Sequence, residues 1–146
     1  MFSVKYSGKT IWYTQKLSQR VRIAKDAALY RAAGFIRTAA KRSMRVRRGA
    51  SRPGTPPHAH TRTGLRQIQF IVDQQAGAAL IGPIKFSGSN FFDQPVPYIQ
   101  EFGGIFRSRK RSVTYPERSY MKYTLNRLVA SGQLSRDFNY SMARIL

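Results

Sequence analysis

The chain has 146 residues, 42% of them apolar, and 26 Lys and Arg against 6 Asp and Glu give a net charge of +20. That length accommodates one domain with a real core and makes a second core improbable, while self-repulsion on this scale opposes an isolated compact monomer. There is no cysteine, which excludes disulfides, thiolate metal sites and thiol nucleophiles.

Residues Met1 to Thr10 alternate Phe2, Val4 and Tyr6 with polar neighbours, the pattern of a short N-terminal arm or strand. That arm lacks the apolar core of a signal peptide, and no run in the chain is long and apolar enough for a bilayer. A soluble protein made in the cytoplasm, with no membrane partner, is the expectation. From Ile11 to Met44, proline is absent, alanine is frequent, and Leu17, Val21, Ala24, Ala28, Phe35 and Ala39 project onto one side of a helix. Gly34 is the place for a bend or a close contact.

Arg45 to Thr63 carries Arg45, Arg47, Arg48, Arg52 and Arg62 among three prolines and scattered glycines. It cannot continue the helix, it offers almost nothing to bury, and it reads as a long mobile basic loop. Leu65 to Val72 then alternates, with Arg66, Ile68, Phe70 and Val72 on the apolar face of a strand. Ala78 to Ile84 is its hairpin partner across a turn at Gln75 to Gly77. Ser87 to Pro95 is turn-rich. Val96 to Phe102 reads as a short helix that Gly103-Gly104 stops. Ile105 to Tyr115 holds Arg107, Arg109, Lys110 and Arg111 between apolar ends, a hairpin or strand with an exposed basic tip. After Pro116, Tyr120, Leu125, Leu128 and Val129 mark a helix that Gly132 breaks, and Leu134 to Ile145 can form a last one. The order predicts a single α+β domain over residues 1–146, with helices packed on a small antiparallel sheet.

Between Ala27 and Val72 there are ten Lys and Arg and no acid. A merely solvated face would mix signs, so one-sided charge points to a polyanion met through its phosphates or to an acidic protein surface. Nothing in the chain has the spacing of a base-reading module. Pro57-His58-Ala59-His60 places two histidines on one side of an extended segment, yet no third ligand completes a metal site. The six acids Asp26, Asp73, Asp93, Glu101, Glu117 and Asp137 stand singly, without the clustering a metal-dependent nuclease needs. No phosphate-binding glycine loop or nucleophile elbow occurs. The expectation is a non-enzymatic protein without cofactor or metal. The aromatics, Phe91-Phe92 and Tyr98 with Phe102 among them, suit either core or interface.

Three stretches taken in order carry a resemblance: Thr61-Arg62-Thr63-Gly64-Leu65-Arg66, Pro97-Tyr98-Ile99-Gln100-Glu101-Phe102-Gly103-Gly104 and Pro116-Glu117-Arg118-Ser119-Tyr120-Met121. This arrangement resembles the small head–tail connection proteins of tailed phages, known as neck, tail-completion or minor tail-component proteins. That family runs from a basic N-terminal helix through an Arg-Thr-Gly-x-Leu segment and a Tyr-x-x-x-x-Glu-Phe-Gly segment. A Pro-Ala-Arg-Pro-Phe-like segment then opens its last helix. Glu117 and Ser119 depart from the Ala and Pro usual there, and the extension from Gly132 to Leu146 passes the usual final helix. The resemblance implies an α+β fold and a homo-oligomeric virion ring, six copies by analogy, around the DNA channel between head connector and tail tube. Arg45 to Thr63 and the tip Arg107 to Arg111 would reach neighbouring subunits, adjacent neck and tail-tube proteins or the genome. Within the motifs, Gly64 permits a tight entry into the strand. Glu101, one of few acids, invites pairing with Arg118. The rival expectation is a basic, sequence-nonspecific nucleic-acid-binding module.

Overall fold

The alanine-rich, proline-free segment after Tyr13 winds into one continuous helix of 30 residues, α1 (Thr14–Ser43). The computed structural model describes residues 13–60, 64–84, 95–107 and 112–144. The N-terminal arm, Thr61 to Thr63, most of the turn-rich stretch with Phe91-Phe92, and the tip residues Arg109, Lys110 and Arg111 lie outside them.

The buried face of α1 is Ala24, Ala28, Ala33, Ile36 and Ala40. Small side chains here let neighbouring elements approach the helix axis closely, and β1, β2, α3 and α4 all touch it. The expected stripe holds only in part. Leu17 is 60% exposed and Val21 41%, while Phe35 and Ala39 are half-buried. Periodicity places these residues on a side of the helix, but the helix extends past the body: every residue from Tyr13 to Ile23 is exposed. The helix runs through Gly34 without a break. A side chain there would sit 4.0 Å from the Phe70 ring, whose edge also meets Tyr30 at 6.1 Å.

The expected strand from Leu65 begins three residues late. Gly64 takes φ +73° and opens a 3-10 turn (Gly64–Arg66), closed by the Gln67 N–H on the Gly64 carbonyl at 2.8 Å. β1 (Ile68–Asp73) then pairs antiparallel with β2 (Ala78–Pro83), in a register that sets Ile71 opposite Leu80. Asp73 Oδ1 accepts from the Gln75 and Ala76 N–H groups and fixes the turn. As the alternation implied, Ile68 is buried and Phe70 and Val72 are half-buried. Gln67, Gln69 and Ile71 are exposed.

α2 (Val96–Phe102) starts behind Pro95 and stops at Gly103, as expected from the glycine pair. β3 (Gly104–Arg107) and β4 (Ser112–Tyr115) form a second antiparallel hairpin. α3 (Met121–Ala130) ends where Gly132 adopts φ +63°, and α4 (Gln133–Ala143) follows. The segment that resembles an appended extension is packed along α1, with Ser141 buried. The fold is α+β: a long N-terminal helix and shorter C-terminal helices with small antiparallel sheets. Its centre is the cluster Ala40, Met44, Ile68 and Tyr120, with Leu65, Ile81 and Met121 packed around it. Complete burial of a side chain such as Met44 or Ile68 contributes about 1.5–3 kcal/mol.

Candidate functional site

The motif stretches, far apart in sequence, meet at one joint. Leu65 of the first packs on the cluster that contains Tyr120 of the third. Glu101 of the second reaches the third directly. Its Oε2 accepts from the Tyr120 N–H at 2.9 Å and the Met121 N–H at 3.1 Å, and its Oε1 from the Lys122 N–H at 2.7 Å. These are the orphan donors at the start of α3, where a negative charge also opposes the positive end of the helix dipole. Tyr120, the residue before α3, makes no side-chain cap of its own, so a carboxylate from α2 supplies it. Glu101 is 9% exposed, and burial together with this charge pushes the Tyr120 phenol above its ordinary range, burial being the larger cause.

The expected pairing of Glu101 with Arg118 does not occur, because the carboxylate is occupied by backbone donors. Arg118 turns instead to the basic loop. Its Nε donates to the Ser51 carbonyl at 3.0 Å, its own N–H to the Gln100 carbonyl at 2.8 Å, and the Gly54 N–H meets the Glu117 carbonyl at 3.1 Å. The loop is also closed at its base, where Ala59 N–H bonds to the Arg45 carbonyl at 2.9 Å and Arg47 N–H to the Ala59 carbonyl at 3.2 Å. The expectation that almost nothing in this loop is buried therefore fails: Ser51, Pro57 and Ala59 are buried. Polar, proline-rich composition told against a packed core but not against backbone tethering. Removing the guanidinium in Arg118→Ala should speed tryptic cleavage after Arg47 or Arg48 by about tenfold, for a loss near 1.4 kcal/mol. Unchanged cleavage rates would mean that the backbone bonds alone hold the loop.

The tether presents cations outward. Arg45, Arg47, Arg48 and Arg52 are all exposed, as is Arg107 at the end of β3. The other basic candidates, Arg62, Arg109, Lys110 and Arg111, and the motif residue Thr63 lie outside the described residues. His58 Nδ1 lies 3.3 Å from the Gly49 carbonyl and His60 is exposed. Among the described residues no three His, Asp or Glu side chains gather, and no helix is long and apolar enough to cross a membrane.

Apolar side chains also face solvent. The cross-strand partners Ile71 and Leu80 are 71% and 76% exposed. The Tyr98 and Phe102 rings meet at a tilt, centroids 4.8 Å apart, on the open side of α2, beside a groove of about 320 Å³ that Pro97 and Met121 help to line. Sequence patterning assigned Ile71 to the polar face and drew no attention to it or to Leu80. A lone apolar residue on a polar face is a weak signal until the register reveals its cross-strand neighbour. In comparisons with known proteins, no family model, curated protein or solved structure matches the chain.

Proposed function

We propose that this protein is a structural subunit of a tailed-phage head–tail junction. It would assemble with copies of itself, and with neck and tail-tube proteins, into a ring around the DNA channel. One observation carries the assembly part of this reading. Large apolar side chains stand exposed on several elements, among them Leu17 and Val21 on α1, Ile71 and Leu80 on the first hairpin, and Tyr98 and Phe102 on α2. Grouped apolar side chains of this kind mark contact surfaces, and a ring subunit needs distinct surfaces for successive neighbours. The place in the virion rests on the order and spacing of the three motif stretches. Their meeting at one joint supports a shared structural role for them.

The second reading, a basic nucleic-acid-binding module, is favoured by the exposed row Arg45, Arg47, Arg48 and Arg52 on a tethered loop. Light scattering across a salt series, with and without duplex DNA, separates the two. A discrete oligomer that persists at high salt without DNA is the expected result. In the double variant Ile71→Ser with Leu80→Ser it should fall to smaller species while thermal stability holds, because both side chains are exposed. A monomer at every salt concentration, gathering on DNA only at low salt, would replace the ring reading with the second.

A further inference from the structure

We propose that Arg37, Lys41 and Arg66 form a phosphate-binding site at the junction of α1 and β1, one that holds the backbone of a polynucleotide. This site is independent of the ring reading, since a ring subunit or a monomer can carry it. Arg37 and Lys41 lie one turn apart on the same face of α1. Arg37 Nε donates to the Ile68 carbonyl at 2.7 Å, which pins its guanidinium across the start of β1. Arg66 belongs to the turn that leads into that strand, and its Nε is buried with no hydrogen-bond partner among the described residues.

Among the described residues no acid pairs with these charges. The Lys41 ammonium is held below the ordinary lysine range by burial first, then by Arg37 and Arg66. Lys122 with Glu117, 3.8 Å apart on the far side of the sequence, is an ion pair that involves none of them. Cations gathered in this way oppose each other in the free protein, and an anion placed among them relieves that opposition. The donor set suits phosphate. Arg37 keeps its terminal amino groups after spending Nε, and planar guanidinium forks beside one compact ammonium can serve more than two oxygens. A polynucleotide is favoured over a free phosphate ion by what lies next along the chain. Exposed Arg45, Arg47 and Arg48 follow the end of α1, so further phosphates of one strand would meet further cations. The contacts would be to backbone oxygens and blind to sequence.

The test uses the full chain and a labelled short duplex DNA, followed by fluorescence anisotropy across a sodium chloride series. Lys41→Gln should weaken binding by about tenfold and lower the salt slope by about 0.9. Lys16→Gln removes the same charge from the exposed start of α1 and should do much less, while Lys41→Arg should restore binding. Lys41→Gln should also leave the free protein as stable as before or more so, since it removes a repulsion, which a purely structural lysine would not do. Acylation of Lys41 by an amine reagent at neutral pH should be blocked by the duplex. Equal losses in the two Gln variants would show diffuse charge attraction and overturn the site. So would a wild-type chain that binds no duplex, or acylation blocked by poly-glutamate and not by DNA, which would assign the cluster to an acidic protein. Blocking by millimolar inorganic phosphate as complete as by DNA would overturn the polynucleotide and leave a site for the free ion.

Discussion

Gly103→Ala should be the most damaging single substitution in the described structure, removing at least about 4 kcal/mol of stability. Gly103 sits at φ +69° and ψ −171°, a region open essentially to glycine alone. A Cβ there would also stand 2.9 Å from the Glu117 nitrogen and 2.9 Å from the Tyr115 carbonyl oxygen. Both obstacles are backbone, so no rotamer change relieves them. Native domains of this size hold roughly 0.05–0.15 kcal/mol per residue, so the loss takes a large fraction of the total. Chemical denaturation reads it directly, and the thermal midpoint should fall by more than about 10 °C. Gly49→Ala is the control. Its φ is also positive, at +87°, but nothing lies within 4 Å of the added carbon, so a cost near 1 kcal/mol is expected. Equal costs at the two positions would show that the end of α2 is not held tightly against Tyr115 and Glu117.

Glu101→Gln should cost about 2–4 kcal/mol and lower the thermal midpoint by about 5–12 °C. Both carboxylate oxygens accept N–H groups at the start of α3, and an amide can keep only one of those faces. The other face would present N–H to N–H in a buried place. Losing the negative charge also forfeits its attraction to the helix dipole. Amide exchange at Tyr120, Met121 and Lys122 should accelerate before exchange elsewhere in α3. A variant within about 0.5 kcal/mol of wild type, with those amides still protected, would remove Glu101 from the account of how α3 is started.

Why the first of these effects was readable in the sequence and the second was not comes down to what letters encode. Gly103-Gly104 after a short amphipathic run announces a helix stop, and the structure has one there. Alternation placed Ile68, Phe70 and Val72 on the inner face of the first hairpin, and Gly132 marked the break between α3 and α4. Glu101 was matched to a cation because acids are scarce, yet its true partners are backbone N–H groups, which every residue but proline carries and no letter advertises. The same blindness concealed the tether of the basic loop, whose bonds run to the Ser51, Glu117, Arg45 and Ala59 carbonyls. Periodicity likewise set Leu17 and Val21 on a helical side without saying that both would stand exposed there. Arg37, Lys41 and Arg66 were each visible as cations, and the i, i+4 spacing of the first two was a usable signal. Their convergence with Arg66 depends on the turn at Gly64, which only the fold displays.

The uncovered start of α1 has an energetic consequence of its own. Residues 14–23, about 15 Å of helix at 1.5 Å per residue, precede Ala24, the first buried residue of α1. A stretch that short, detached, would barely hold helical form in water, and here it holds only by continuing the packed turns from Ala24 onward. Its first turns therefore fray at little cost. Whatever docks on Leu17 and Val21 must spend part of its binding energy on stilling them. Recognition through such a tip would release readily and tolerate small errors in the angle at which a neighbour arrives.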